Sequence, residues 1–166
     1  MFQTLKQTGL GWLWLSVLVL VLDQWTKKII ISQFRLYETL PVLDVFSLTY
    51  VRNTGAAFSF LSDAGGWQLW FFSAAALFVV GLLSYWLYQQ KYSVWCLNSA
   101  YTLIIGGALG NVVDRIQYGY VVDFLDFHWG VHHFPAFNVA DMAICLGAGL
   151  IILDAIMVAK KAEKSL

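Results

Sequence analysis

Charged residues are scarce in this 166-residue sequence: they make up 12%, about half the share found in a typical soluble domain. Hydrophobic residues make up 60%, and a soluble fold of this length has too much surface for its volume to bury them. The ten basic and ten acidic residues cancel, so there is no basic excess of the kind that binds nucleic acids. The composition predicts an integral membrane protein with no nucleic-acid partner.

Residues that mark several common active sites are also few or absent. The two cysteines, Cys96 and Cys145, both lie in apolar runs, which excludes a disulfide scaffold and a CxxC metal motif. The sequence has no G-x-S-x-G motif and no cysteine beside a histidine. His128, His132 and His133 have a spacing that suits a metal, but neither cysteine nor HExxH accompanies them, so we predict no metal site.

Four apolar stretches are each long enough to cross a bilayer, which takes about 20 residues of helix. Residues 67–88 and 92–113 contain no charge, whereas residues 12–31 and 137–159 each contain acidic residues. The first stretch is not followed by a small-residue cleavage site, so we interpret it as an uncleaved helix. Four spans predict one compact membrane domain over residues 1–166, with both termini on the same side.

The lysine and arginine count does not by itself orient these spans, because each side carries five basic residues. The only dense cluster is Lys160, Lys161 and Lys164 in the C-terminal tail. Since basic residues are enriched on the cytoplasmic side, the cluster favours cytoplasmic termini.

The segments on the other, outer side are residues 36–63 and 116–135. Residues 40–52 and 118–127 are rich in β-branched and aromatic residues and predict strands of a small sheet at the membrane surface. After the turn Asn53-Thr54-Gly55, residues 56–61 predict a short interfacial helix. The predicted fold is an all-α membrane protein of four transmembrane helices, with a small β-sheet platform and a short helix outside.

Several polar residues lie inside or at the outer ends of the spans, where a charge costs at least a few kcal/mol and indicates a functional site. Asp23 and Lys27 are four residues apart and are expected to pair. Asn111, Asp114 and Arg115 share one helical face. These five residues are all expected at the same depth, near the outer surface of the membrane.

The fourth span adds two more polar residues at this level. Asn138 is predicted to cap the helix, which places Asp141 in its first turn beside free amide groups. Asp123 follows the third span on a predicted strand. Asp154 lies too deep, towards the inner side, to join the group.

Some of these residues have structural alternatives. Asp114 and Arg115 could form an ion pair that holds the outer sheet, while Arg115 could instead contact substrate. Gly106 and Gly110 are spaced to let another helix approach closely, which is a packing role.

With serine, cysteine and metal sites excluded, the remaining candidates for catalysis are two carboxyl groups, those of Asp123 and Asp141. Two carboxyls within hydrogen-bond reach share one proton, so one activates water while the other donates to a carbonyl. Spacing alone does not show that the two side chains meet. An intramembrane aspartic hydrolase and a proton- or cation-coupled carrier both remain open, and the carrier would also need Asp154.

Five blocks, in order, resemble the lipoprotein signal peptidase (signal peptidase II) family over nearly the whole chain. They are Asp23-Gln24-x-x-Lys27, Asn53-Thr54-Gly55-Ala56-Ala57-Phe58, Gly110-Asn111-x-x-Asp114-Arg115, Gly119-x-x-Val122-Asp123-Phe124 and Phe137-Asn138-x-Ala140-Asp141. The resemblance implies an aspartic endopeptidase of the bacterial cytoplasmic membrane. Such an enzyme removes the signal peptide from prolipoproteins, just before a diacylglyceryl-modified cysteine.

The resemblance also implies roles for individual residues. Asp123 and Asp141 are the implied catalytic dyad. Supporting or substrate-holding roles are implied for Asn53, Asn111, Arg115 and Asn138, and roles in building the site for Asp23, Lys27 and Asp114. The implied partners are a prolipoprotein and membrane lipid, and no cofactor is implied because water is the nucleophile.

Within the dyad, the sequence predicts different protonation states. Asp141 lies at a helix start, where free amides and the helix dipole favour the ionised form. Asp123 lies among apolar strand residues, where desolvation favours the neutral acid. A guanidinium group of Arg115 closer to Asp123 would reverse this assignment, because a nearby cation outweighs the partial charge of a helix start at equal distance.

Overall fold

A computed structural model describes residues 7–55 and 66–164 and contains four long helices. They are α1 (Leu13–Gln33, after a 3-10 turn over Gly9–Trp12), α2 (Trp67–Gln89), α3 (Trp95–Tyr118) and α4 (Val139–Glu163). Each is long and apolar enough to cross a membrane. The prediction of four spanning helices is confirmed.

The largest difference from the predicted helix ends is in α3, which continues to Tyr118 instead of ending near residue 113. The charged residues Asp114 and Arg115 lie within this added stretch, and the helix continues through them because both side chains have polar partners in other parts of the chain. The helix ends at Gly119, whose φ of 77° is a left-handed conformation that glycine adopts without strain.

Four strands form an antiparallel sheet in the order β1-β2-β3-β4. They are β1 (Thr39–Leu43), β2 (Phe46–Asn53), β3 (Val121–Trp129) and β4 (His132–His133). Both predicted strand regions are confirmed, and the first is a hairpin of two strands. The predicted interfacial helix at residues 56–61 lies outside the described residues.

The sheet connects the end of α1, the end of α3 and the start of α4, and we call this end of the bundle the outer end. Val122 and Phe124 of β3 pack with Tyr50 of β2 against Ile30 of α1. Asp123 has the opposite strand parity and aligns with Val51 of β2. One face of the sheet therefore packs on α1, and Asp123 lies on the opposite face.

Helix α3 is the centre of the bundle and packs against α1, α2 and α4. Within the described part of the chain, α2 packs on α3 and the 3-10 turn but forms no extended interface with α4. The two cysteines are free thiols, Cys96 buried and Cys145 exposed. Helices α2 and α4 therefore flank α3 without an extended contact between them, and we call the strip of α3 between the two helices the groove.

Close packing of α3 depends on its glycines, as the sequence predicts for Gly106 and Gly110. A Cβ atom on Gly106 would lie 2.7 Å from the Ser16 carbonyl oxygen of α1, and one on Gly110 would lie 2.5 Å from Asp23 Oδ2. Both distances are shorter than a carbon–oxygen contact allows, so α1 sits where only glycine leaves room.

We expect Gly110→Ala to lower the free energy of unfolding by about 1–3 kcal/mol, because the added methyl group displaces a buried, hydrogen-bonded carboxylate. Gly149→Ala in α4 is the matched control, since its Cβ would meet no atom within 4 Å. Thermal and denaturant unfolding of both variants in detergent micelles measures the difference. Equal stability of the two variants would contradict the packing argument.

Candidate active site

Asp123 and Asp141 reach the same place from different elements, and Asn138 joins them. Asn138 is the N-cap of α4: its Oδ1 accepts the Asp141 N–H at 2.9 Å, and the two residues form a capping box. Its Nδ2 donates to Asp123 Oδ1 at 2.7 Å. Asp123 is 2% exposed and Asn138 is fully buried. One asparagine thus links the strand carboxyl group to the helix carboxyl group.

The remaining carboxyl oxygens of the pair accept hydrogen bonds from three further amide groups. Asn53 Nδ2 donates to Asp123 Oδ2 at 3.0 Å, and Asn111 Nδ2 donates to Asp141 Oδ1 at 2.8 Å. The Asn138 backbone N–H donates to Asp141 Oδ2 at 3.3 Å. Each of the four carboxyl oxygens therefore accepts one N–H, which orients both groups and stabilises negative charge on them.

The orientation of all three asparagine amides follows from groups that only donate. Asn53 Oδ1 accepts the Gly55 N–H at 3.0 Å, and Asn111 Oδ1 accepts Lys27 Nζ at 3.0 Å. Asn138 Oδ1 accepts the Asp141 N–H. Because a backbone N–H and an ammonium group cannot accept, each amide must turn its oxygen to them and its nitrogen to the carboxyl pair.

Lys27 lies beneath the carboxyl pair and is 1% exposed. Its Nζ is 2.9 Å from Asp23 Oδ2 and 2.9 Å from Asp114 Oδ2, and both aspartates are fully buried. The predicted Asp23–Lys27 pair is confirmed. Asp114 forms its ion pair with Lys27 of α1, not with its neighbour Arg115.

The same two aspartates fix the elements that carry the carboxyl pair. Asp114 Oδ2 accepts the Val122 N–H at 3.0 Å, one residue before Asp123. Asp23 Oδ1 accepts the Ala140 N–H at 2.9 Å, one residue before Asp141. The two aspartates that pair with Lys27 therefore also hold the backbone directly before Asp123 and directly before Asp141.

Gln24 belongs to this network, although the sequence analysis did not select it as a site residue. Its Nε2 lies 2.8 Å from Asp114 Oδ1, 3.2 Å from Asp23 Oδ2 and 3.2 Å from the Gly110 carbonyl oxygen. The sequence feature that could have identified Gln24 as a site residue is its position as a polar residue directly after Asp23 in an apolar span.

Arg115 connects the outer end of α3 to two other parts of the chain. Its Nη2 donates to the Gly55 carbonyl oxygen at 3.3 Å, and its guanidinium carbon lies 5.7 Å from the ring centre of Phe72 in α2. Its charge lies within electrostatic range of Asp141 and Asp123. Its buried Nε has no hydrogen-bond partner among the described residues.

The surroundings of Asp123 favour its protonated form near neutral pH. Burial and the neighbouring charge of Asp141 raise its pKa to about 7, against the hydrogen bonds from Asn53 and Asn138. At neutral pH, Asp123 is therefore protonated in a substantial fraction of the molecules.

Two of the three histidines of the sheet, His128 and His133, have partners away from this site. His133 Nδ1 lies 2.9 Å from Asp126 Oδ1, and His128 Nε2 lies 3.0 Å from Ser47 Oγ. Thr49 also donates to Asp126, at 3.1 Å. In residues 7–55 and 66–164, no three His, Cys, Asp or Glu side chains converge as a metal ion would need.

Comparisons with known proteins identify the family and the fold of the chain. A family model described as signal peptidase (SPase) II matches residues 15–157. Lipoprotein signal peptidases of Shewanella pealeana and Shewanella piezotolerans are 61% and 59% identical over 160 residues, which is 96% of this chain and 94% of each relative.

Two solved structures, each described as a bacterial membrane enzyme studied by the in meso method, share the fold. They are 31% and 32% identical, with TM-scores of 0.83 and 0.77. The matches cover 94% and 90% of this chain, and 94% and 96% of those chains.

Proposed function

Because this chain belongs to the signal peptidase II family, as a multi-pass membrane peptidase, we propose that it cleaves the signal peptide from bacterial prolipoproteins. The proposed substrate carries a diacylglyceryl group on the cysteine that follows the scissile bond, and water is the nucleophile. The observation that carries the proposal is the carboxyl pair held by Asn138 at the outer end of four membrane-spanning helices. The family favours a peptidase over the alternative of an ion-coupled carrier.

In the proposed mechanism, Asp141 is the base and Asp123 is the acid. Asp141 takes a proton from water as the water oxygen attacks the scissile carbonyl carbon, and Asp123 donates its proton to the carbonyl oxygen. The tetrahedral intermediate then breaks its C–N bond. The leaving amine takes the proton from Asp141, and Asp123 recovers a proton from the intermediate's hydroxyl group. Both carboxyl groups return to their starting states.

The position of the Asp123–Asp141 pair suits a substrate that spans the membrane. A signal helix presents its scissile bond where the helix meets the outer interface, and the modified cysteine keeps its acyl chains in the lipid. Asp123 on the sheet and Asp141 at the start of α4 lie at the outer end, above the groove between α2 and α4. The groove supplies an entry from the lipid without an aqueous channel.

The supporting residues divide into two groups in this proposal. Asn53, Asn111 and Asn138 direct N–H donors at the Asp123–Asp141 pair, and Arg115 holds a positive charge beside it. Asp23, Lys27 and Asp114 position the backbone on which the pair is mounted.

We propose that the protein lies in the bacterial cytoplasmic membrane with both termini in the cytoplasm and the site at the outer face. Lys160 and Lys161 lie in the last turn of α4, at the end opposite the sheet. Basic residues near the ends of spans favour the cytoplasmic side.

The pH dependence of cleavage tests the assignment of Asp123 as the acid. With a pKa of about 7, Asp123 loses its proton as the pH rises, so kcat/KM should fall on the alkaline side. Asn53→Ala removes a hydrogen bond that lowers this pKa, so the alkaline limb should move to higher pH. A limb that stays in place or moves to lower pH in the folded variant would contradict the assignment.

The function itself is tested by incubating the purified protein in lipid nanodiscs with a diacylglyceryl-modified prolipoprotein. We expect cleavage directly before the modified cysteine, and little or no cleavage of the same precursor without the lipid. Absence of cleavage by a folded protein would contradict the proposed function. Ion uptake into vesicles without any cleavage would support the carrier instead.

A further inference from the structure

Asp154 is a carboxyl group inside the span α4 that the proposed mechanism does not use. It lies 13 positions after Asp141, towards the inner end of the helix. Among the described residues it forms no ion pair. The Cys96 thiol and the Tyr101 side chain, both of α3, lie close enough to interact with it electrostatically. A carboxylate at this depth costs free energy unless a cation pairs with it, so Asp154 is a candidate binding site for a cation.

The distance from the Asp123–Asp141 pair to Asp154 matches a dimension of the proposed substrate. Thirteen helical residues correspond to about 20 Å along α4. A signal peptide has an apolar region of about 7–15 residues between its basic N-terminal region and its cleavage site. As a helix, that region is about 10–22 Å long. With the scissile bond at the pair, an apolar region of about 13 residues, towards the long end of this range, places the basic region at the depth of Asp154.

The groove between α2 and α4 connects these two depths. Ile151 of α4, one turn before Asp154, packs against the cluster of α2 and α3 residues that includes Leu83 and Tyr101. Where α2 ends and α3 begins, a cavity of about 250 Å³ is lined by Trp86, Gln89, Gln90 and Tyr101. Because Tyr101 lines this cavity and also lies near Asp154, the aromatic and amide groups of the cavity lie close to the depth of Asp154.

Among the charged residues at the inner end, Asp154 is the one placed to attract a basic peptide segment. Lys160, Lys161 and Lys164 follow it along the chain, and Lys91 lies in the connection between α2 and α3. These four cations repel a basic peptide segment. Glu163, the last residue of α4, is the other acidic residue at this end, and it lies about 13 Å beyond Asp154.

On the basis of the proposed function, we propose that Asp154 is a substrate-binding residue for the ammonium or guanidinium groups of the signal peptide's basic N-terminal region. The signal helix lies in the groove with its scissile bond at the Asp123–Asp141 pair and its basic region at Asp154. The contact is about 20 Å from the reacting atoms and is the same in the bound substrate and in the transition state, so we expect it to act as uniform binding that changes KM and not kcat.

The test is a double-mutant cycle with two lipid-modified prolipoproteins, one with two lysines in the basic region and one with glutamines there. We expect Asp154→Asn to raise KM about tenfold for the lysine substrate, with kcat preserved, and to leave the glutamine substrate unaffected. Leu153→Asn is the matched control, because it places the same amide at the same depth on a lipid-exposed position. It should behave as wild type with both substrates.

A second substrate series tests the distance. Lengthening the apolar region by seven residues moves the lysines about 10 Å further from Asp154 and should abolish their coupling to it. Equal losses for the lysine and glutamine substrates, or no loss for either, would overturn the inference while wild-type cleavage still supports the proposed function. Failure of the wild-type protein to cleave any substrate would instead reject the proposed function.

Discussion

Replacing Asp123 or Asp141 by asparagine is expected to reduce prolipoprotein cleavage by about 10³-fold or more. Asparagine keeps the shape of the side chain but provides neither the base nor the acid of the proposed mechanism. Because the two groups act as a unit, the double variant should be hardly worse than either single one. Initial rates on the diacylglyceryl-modified precursor measure the loss.

The control for this prediction lies on the same strand. Asp126 is also buried, but it pairs with His133 and Thr49 and not with the asparagines of the site. Asp126→Asn should keep substantial activity, which separates a loss of chemistry from damage to the sheet. Cleavage near the wild-type rate by a folded Asp123→Asn or Asp141→Asn variant would reject the dyad.

The second large effect is expected from Lys27→Met. Removing the ammonium group leaves Asp23 and Asp114 buried without their cation, which should lower the free energy of unfolding by about 3–5 kcal/mol. It also releases the Asn111 amide, whose oxygen Lys27 holds. At temperatures where the variant is folded, we expect cleavage to fall about 10²-fold, because Asn111 no longer keeps its N–H on Asp141.

Lys28→Met provides the matched control, since Lys28 is the exposed neighbour on the same helix. It should change neither the unfolding temperature nor the cleavage rate appreciably. A Lys27→Met protein as stable as wild type would show that the buried ion pairs do not hold the bundle together. A destabilised variant that cleaves at the wild-type rate when folded would separate Lys27 from the orientation of Asn111.

The sequence by itself determined the features that depend on local spacing. Predominantly apolar stretches of helical length identify the spans, because the hydrocarbon core of a bilayer excludes most polar segments. An asparagine three residues before Asp141 identifies a cap, because free N–H groups at a helix start need an acceptor. Asp23 and Lys27 pair because residues four apart share a helical face. Each of these inferences uses residues that are neighbours along the chain.

The tertiary structure decided which distant groups meet. Lys27 contacts Asn111 across 84 positions and Asp114 across 87, and Asn53 contacts Asp123 across 70. These contacts depend on how closely α1 approaches the glycines of α3 and how β3 lies on α1. The orientation of the three amides follows only from those contacts, as does the raised pKa of Asp123. Spacing selects candidate residues, but packing across the bundle decides which atoms of those residues face one another.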